Sequence, residues 1–152
     1  MNDPYLFIAL ATSPRTVAYL VRQLDPALLD QPTAEGRFTP REAVAHLADW
    51  EPIMRGRLRQ TVDRPGSTIV AHDEGERAIR LGYSKLDVEE QLALFARERT
   101  ETVAYLRQVA PEDWTLRAVH EERGPYTLRE QANFFVCHDQ YHVEQFLTLL
   151  SA

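Results

Sequence analysis

The sequence predicts an all-α protein, a four-helix bundle of up-down-down-up topology with a long crossover between helices two and three. Three features predict it. Two helix starts are written as capping sequences, and apolar residues recur at spacings of three and four through four segments. A connection of about twenty residues, longer than ordinary, separates the second helix from the third.

Helix one covers residues 3 to 24. Asp3-Pro4 and Ser13-Pro14 each resemble a helix start, so the segment is expected to be kinked or in two parts. Helix two starts at Thr39-Pro40-Arg41-Glu42, where a threonine cap, a proline at the first helical position and a glutamate two further on satisfy the free N–H groups. Its apolar positions Ala43, Leu47, Trp50, Ile53, Met54 and Leu58 carry it to about Val62, before Arg64-Pro65-Gly66-Ser67 ends it. Pro52 cannot donate to the Ala48 carbonyl, and a local kink is expected there.

Helix three starts at Ser84 or Asp87, presents Val88, Leu92, Phe95, Thr102 and Leu106 on one side, and stops before Pro111. Helix four runs from the capping sequence Thr127-Leu128-Arg129-Glu130 to about Leu150, with Leu128, Ala132, Phe135, Phe146 and Leu149 inward. Phe38 and Tyr126 precede the two capping threonines and fix the angle at which the chain joins each helix. No segment reads as a convincing strand.

Connection lengths constrain the topology. Residues 25 to 38 and 111 to 126 suit antiparallel neighbours. Residues 65 to 83 are different: a helix of about 24 residues is roughly 36 Å long, and about twenty extended residues reach roughly 65 Å. The crossover can therefore return along the whole bundle and leave helices two and three parallel.

Composition narrows the function classes. At 152 residues the chain is expected to form one domain, residues 1 to 152, large enough to bury a core. No apolar run reaches the eighteen or so residues of a spanning helix, so membrane insertion is not expected. The N-terminus lacks a basic region and Cys137 has no partner for a disulfide, which together read as a cytoplasmic protein. A net charge of −6 repels a polyanion, and no basic cluster interleaved with aromatics offsets it, so nucleic acid is not an expected partner. Lys85 is the sole lysine, and the arginines are scattered among carboxylates as a solvated surface.

The histidines carry the chemistry. His138 and His142 stand four apart on a helix and project from one face, where both can reach one ion. His46 supplies a third ligand: it lies among Ala43, Leu47 and Trp50, and its distance from its cap differs from those of His138 and His142 by multiples of four. Depth agrees as well. His46 lies roughly 10 Å from the start of helix two and His142 roughly 12 Å before the end of helix four, so the levels match if the two helices are antiparallel. Three neutral imidazoles leave a coordination position open, as reactive sites do and closed structural sites do not. Zinc is the nominal ion, and nickel and ferrous iron accept the same ligands.

Asp49, one turn beyond His46, and Gln145, one turn beyond His142, are candidates to orient an imidazole or to meet the substrate. Asp139 and Glu144 are expected to face solvent or a neighbouring helix, and Cys137 to be a small buried side chain. His72 and His120 fall in expected loops, where exposure is the default.

The segments FTPREAVAHLADWEP, PEDW and GPYTLREQANFFVCHDQYHVEQ resemble the DinB-like superfamily, and with the intervening helices the resemblance covers nearly the whole chain. In that family the histidine of helix two and the HxxxH of the last helix form a metal triad, which falls here on His46, His138 and His142. The resemblance implies an up-down-down-up bundle, a bound divalent metal and a homodimer packed through helices. Some members are thiol S-transferases that use a low-molecular-weight thiol, others are described as metal-dependent hydrolases, and many have no assigned reaction. The chain is thus expected to activate a thiol or water at the three-histidine site for S-transfer to, or hydrolysis of, a small-molecule substrate. The alternative is a non-catalytic metal-binding or stress-response bundle.

Overall fold

Both capping sequences form the structures they predict. In the computed structural model, which describes residues 3–151, the Thr39 N–H donates to the Glu42 carboxylate at 2.9 Å and the Glu42 N–H donates back to Thr39 Oγ1 at 3.3 Å. Thr127 and Glu130 repeat the exchange at 2.7 and 3.2 Å. The helices that follow are α2 (Pro40–Asp63) and α5 (Leu128–Leu150). With α1 (Pro4–Gln23) and α4 (Val88–Gln108) they form the four-helix bundle. A shorter helix, α3 (Glu74–Leu81), stands in the crossover and ends at Gly82, whose φ of 66° is the left-handed conformation that glycine adopts without strain.

Side-chain pairs give the directions. Arg41 at the start of α2 donates to the Leu86 carbonyl just ahead of α4 at 3.2 Å, and Arg55 meets Glu98 further along both helices at 2.8 Å, so α2 and α4 are parallel. Arg22 at the end of α1 pairs with Glu89 at the start of α4 at 2.6 Å, so those two are antiparallel. Gln131 at the start of α5 donates to Thr61 at the end of α2 at 2.7 Å, so that pair is antiparallel too. The order is up-down-down-up. Both α1 and α2 pack against α4 and α5, so the pairs that face one another across the diagonal are α1 with α2 and α4 with α5. The 25–38 and 111–126 segments accordingly join diagonal partners, whereas the sequence suggested adjacent ones.

Two further expectations are corrected. Helix one is one continuous helix rather than two pieces, with Pro14 inside it. Proline removes the N–H that would bond the Leu10 carbonyl, and the Arg99 guanidinium of α4 donates to that carbonyl instead, at 3.2 Å. A sheet is also present, in which β1 (Thr68–Ile69) pairs parallel with β2 (Arg117–His120), and β2 pairs antiparallel with β3 (Gly124–Thr127). Strands of two to four residues, one of them containing Pro125, are too short to show an alternating pattern. The sheet fastens the long crossover to the α4–α5 connection. Among the described residues no helix is long and apolar enough to cross a membrane.

Among the described residues the core has two large apolar clusters and a small third one of Ala45, Ala78 and Tyr83. Of the large clusters, one gathers Val17, Leu20, Leu47, Leu92, Phe95 and Phe146, and the other Leu10, Trp50, Leu58, Leu106, Leu128 and Phe135. Between them in helix register lies an ionic layer in which Arg99, 1% exposed, donates to Glu51 and to Asp139, both fully buried. Thr102 adds a hydrogen bond to the second Glu51 oxygen at 2.8 Å. Burial tends to lower the Arg99 pKa, but the two carboxylates outweigh it and hold the guanidinium charged; burial raises that of Glu51.

Removing one partner of a buried charge network leaves the others uncompensated. Arg99→Met is therefore expected to destabilise the protein by roughly 3–5 kcal/mol. Thermal or urea denaturation would measure this, and a loss within the error of the method would contradict the role given to the layer.

Candidate metal centre

The antiparallel packing of α2 and α5 brings His46, His138 and His142 to one level. His46 is fully buried, His142 nearly so, and His138 faces a cavity. One ring nitrogen from each lies within 4.8 Å of the other two, and the Nε2 atoms of His46 and His138 approach to 2.9 Å. The rings are held from behind. His46 packs on Trp50 with centroids 4.9 Å apart, and Phe134 stacks on His138 at 5.8 Å and 20°. Gln145 donates its amide N–H to the Phe38 carbonyl, which turns its oxygen towards His142 Nδ1, 3.4 Å away. That arrangement places a proton on Nδ1 and leaves Nε2 of His142 as the free lone pair.

The imidazoles are kept neutral. Burial, reinforced by His138 and His142, pushes the pKa of His46 well below its ordinary value; burial likewise brings His138 down to about 3 and His142 to about 4. Three neutral rings with converging lone pairs repel one another unless a cation lies between them. The Nδ1 atoms of His46 and His138 are buried without a protein partner, so hydrogen bonds within the core leave one nitrogen of each ring unsatisfied. This donor set fits one divalent ion.

The cavity in front of the histidines has a volume of about 460 Å³, and Phe38, Phe134 and Tyr141 form much of its apolar wall. Glu74 lines it from the first turn of α3, with Oε2 3.9 Å from His46 Nε2. Burial raises the pKa of Glu74, against the pull of Arg123 and Arg57. Glu74 is not among the residues that the sequence marks as candidates. The capping signal was there, because Asp73 accepts from the Glu76 N–H at 2.8 Å, but an eight-residue helix is too short for an apolar period to reveal.

The other candidates divide. Gln145 touches His142 as expected. Asp49 does not face the histidines: its carboxylate is engaged by Arg77 and by the Tyr83 hydroxyl, the latter at 2.6 Å. Burial raises its pKa, but those hydrogen bonds prevail and leave it below the usual range. Asp49 thus anchors α3 and the turn after it against α2. Cys137 is exposed rather than buried, at the edge of the cavity, because its position on α5 points away from the core stripe. Asp139 meets the helical neighbour α4 through Arg99, and Glu144 is exposed and pairs with Arg37 at 2.9 Å. His72 is exposed in the crossover. His120 is not in a loop but on β2, buried, with Nδ1 accepting from the Glu122 N–H at 3.2 Å.

An up-down-down-up bundle with three histidines gathered from its second and last helices defines a class of small helical proteins with an internal donor cluster. The chain belongs to the DinB superfamily, whose family profile matches residues 9–146. Proteins of Oceanobacillus iheyensis and Bacillus mycoides, both named provisionally as metal-dependent hydrolases, are 26% and 28% identical to it over 136 and 138 residues. Each alignment covers 90% of this chain and 78% of the relative. Among solved structures the fold resembles YfiT of Bacillus subtilis, described as a probable metal-dependent hydrolase with an unusual four-helix bundle topology. That likeness has a TM-score of 0.88 at 22% identity, covering 95% of this chain and 83% of the other. A mycothiol-dependent maleylpyruvate isomerase shares the fold with a TM-score of 0.76 at 11% identity, over 96% of this chain and 61% of that one. The four-helix bundle protein TT2238 shares it at 0.67 and 23%, over 97% and 98%.

Imidazoles held neutral in the fold but protonated near 6.5 once unfolded make stability depend on pH. The unfolded chain binds the extra protons, so stability is full above about 6.5 and falls as pH drops towards the folded values. In the presence of a chelator, the melting temperature is expected to decline between about pH 6.5 and 4. His138→Phe should flatten part of that slope, and an unchanged slope would contradict the assignment.

Proposed function

We propose that this chain binds one divalent metal ion through His46, His138 and His142 and hydrolyses a small molecule held in the adjoining cavity. The observation that carries the reading is the convergence of three neutral imidazoles, with nitrogens within 4.8 Å of one another, at the wall of an open cavity. A divalent ion on such a ligand set supplies a Lewis acid with a coordination position left for a further ligand.

The protein's own groups account for the remaining requirements. Glu74 Oε2 is placed to accept the proton that an attacking nucleophile gives up. Gln145 fixes the ring orientation of His142. Phe38, Phe134 and Tyr141 give the apolar part of a substrate a surface to bury against. Water is the preferred nucleophile, since the relatives carry hydrolase names. A low-molecular-weight thiol in the same place would make the reaction an S-transfer.

A panel of small esters and amides, assayed beside thiol conjugation to a reactive electrophile, tests the reading. Turnover that disappears with a chelator and returns with zinc, nickel or ferrous iron is expected. Glu74→Gln should lower turnover by roughly 100-fold while leaving metal content unchanged. Turnover indifferent to the chelator would contradict the proposal. Metal-dependent stability without any turnover would leave a non-catalytic metal-binding bundle.

A further inference from the structure

The wall of the histidine cavity carries cationic groups that the reaction outlined above does not use. Arg37 is already engaged, by Glu144 at 2.9 Å and by the Tyr141 carbonyl at 3.1 Å. Arg123 differs. It follows β2 in the turn to β3, and its guanidinium lies over the face of Phe134, 4.2 Å from the ring centroid. Phe134 in turn stacks on His138 with centroids 5.8 Å apart. Arg123 is therefore laid along the cavity wall, no more than about 10 Å from the His138 ring, by cation–π contact.

Among the described residues no carboxylate lies within ion-pairing distance of Arg123, although Glu74 and Glu122 are its acidic neighbours. A second guanidinium stands close by. Arg57 of α2 shares with Arg123 a small recess bounded by Tyr126 and Phe134, and its hydrogen bond goes to the Val70 carbonyl at 3.0 Å, not to an acid. Two neighbouring guanidiniums repel, Glu74 and Glu122 offset this only from beyond ion-pairing distance, and a bound anion would relieve it further. A guanidinium fork also matches a carboxylate in geometry, accepting it through two parallel hydrogen bonds.

We propose that Arg123, backed by Arg57, forms the anion subsite of the histidine cavity, so that the substrate is a small carboxylic acid whose reacting group is remote from its carboxylate. The substrate spans the cavity with its carboxylate on Arg123, its apolar middle on Phe134 and its reacting end at the histidines. This inference rests on the metal-dependent reading of the cavity and adds the substrate class to it.

Calorimetric titration of the zinc-loaded protein with glutarate and with butyrate tests it, because glutarate is butyrate with a second carboxylate on its terminal carbon. Glutarate is expected to bind about tenfold more tightly than butyrate, as one charge-assisted hydrogen-bonded pair allows. In Arg123→Met the preference should vanish while butyrate affinity and zinc content stay unchanged. Arg123 is exposed in a turn, so this variant should fold, and its melting temperature checks that. Equal affinity for the two acids, or a preference that survives in Arg123→Met, would overturn the inference. Zinc content measured on the same samples separates the two levels: a protein that takes up no zinc refutes the metal reading and this inference with it, whereas zinc uptake without the glutarate preference refutes this inference alone.

Discussion

Arg99 is the point at which the bundle is held in register. From α4 its guanidinium reaches the Leu10 carbonyl on α1, Glu51 on α2 and Asp139 on α5, so one side chain touches all three other helices. Apolar packing alone tolerates small slides between helices, since many similar contacts replace one another. A buried guanidinium with fixed hydrogen-bond directions does not, because a slide of one turn would leave charges in the core without partners. The same contact makes Pro14 tolerable, which lets α1 run as one helix past its own break.

The histidine cluster inherits that register. Asp139 adjoins His138 in sequence, and Glu51 is little more than a turn beyond His46, so the ionic layer that fixes α2 against α5 also fixes the level at which the imidazoles meet. The crossover adds the remaining wall. Asp49 holds Arg77 and Tyr83, the sheet holds the rest of the segment, and Glu74 is thereby delivered to the cavity from a stretch of chain with little apolar content of its own. Helices α2 and α5 thus hold the imidazoles while the anchored crossover brings an acid beside them.

Much of this was legible in the residues. The capping sequences located α2 and α5; the phase of His46, His138 and His142 put them on inward faces, and their depths put them at one level given antiparallel helices. What stayed hidden was short or interrupted. The strands and α3 span too few residues for periodicity to show, and Glu74 could not be placed without them. The ionic layer was hidden for another reason: Glu51, Arg99 and Asp139 each occupy a position on their helix's inward stripe, between Leu47 and Met54, Phe95 and Thr102, and Phe135 and Val143. A charged residue in such a place reads as a gap in the stripe when each helix is considered alone. Two acids and one arginine filling gaps at matching depths read as a buried network. Asp49 misled for the opposite reason, since spacing along a helix gives a face but not which of two neighbours on that face attracts the side chain.

Any chemistry in the cavity depends on an ion held by the three imidazoles. The most direct measurement is the metal content of protein purified without an affinity tag, by mass spectrometry, for the native chain beside His46→Ala and His142→Ala. About one divalent ion per chain in the native protein, lost in both variants while their helical content is retained, is the result predicted from the donor set. Variants that keep the native metal content would contradict it.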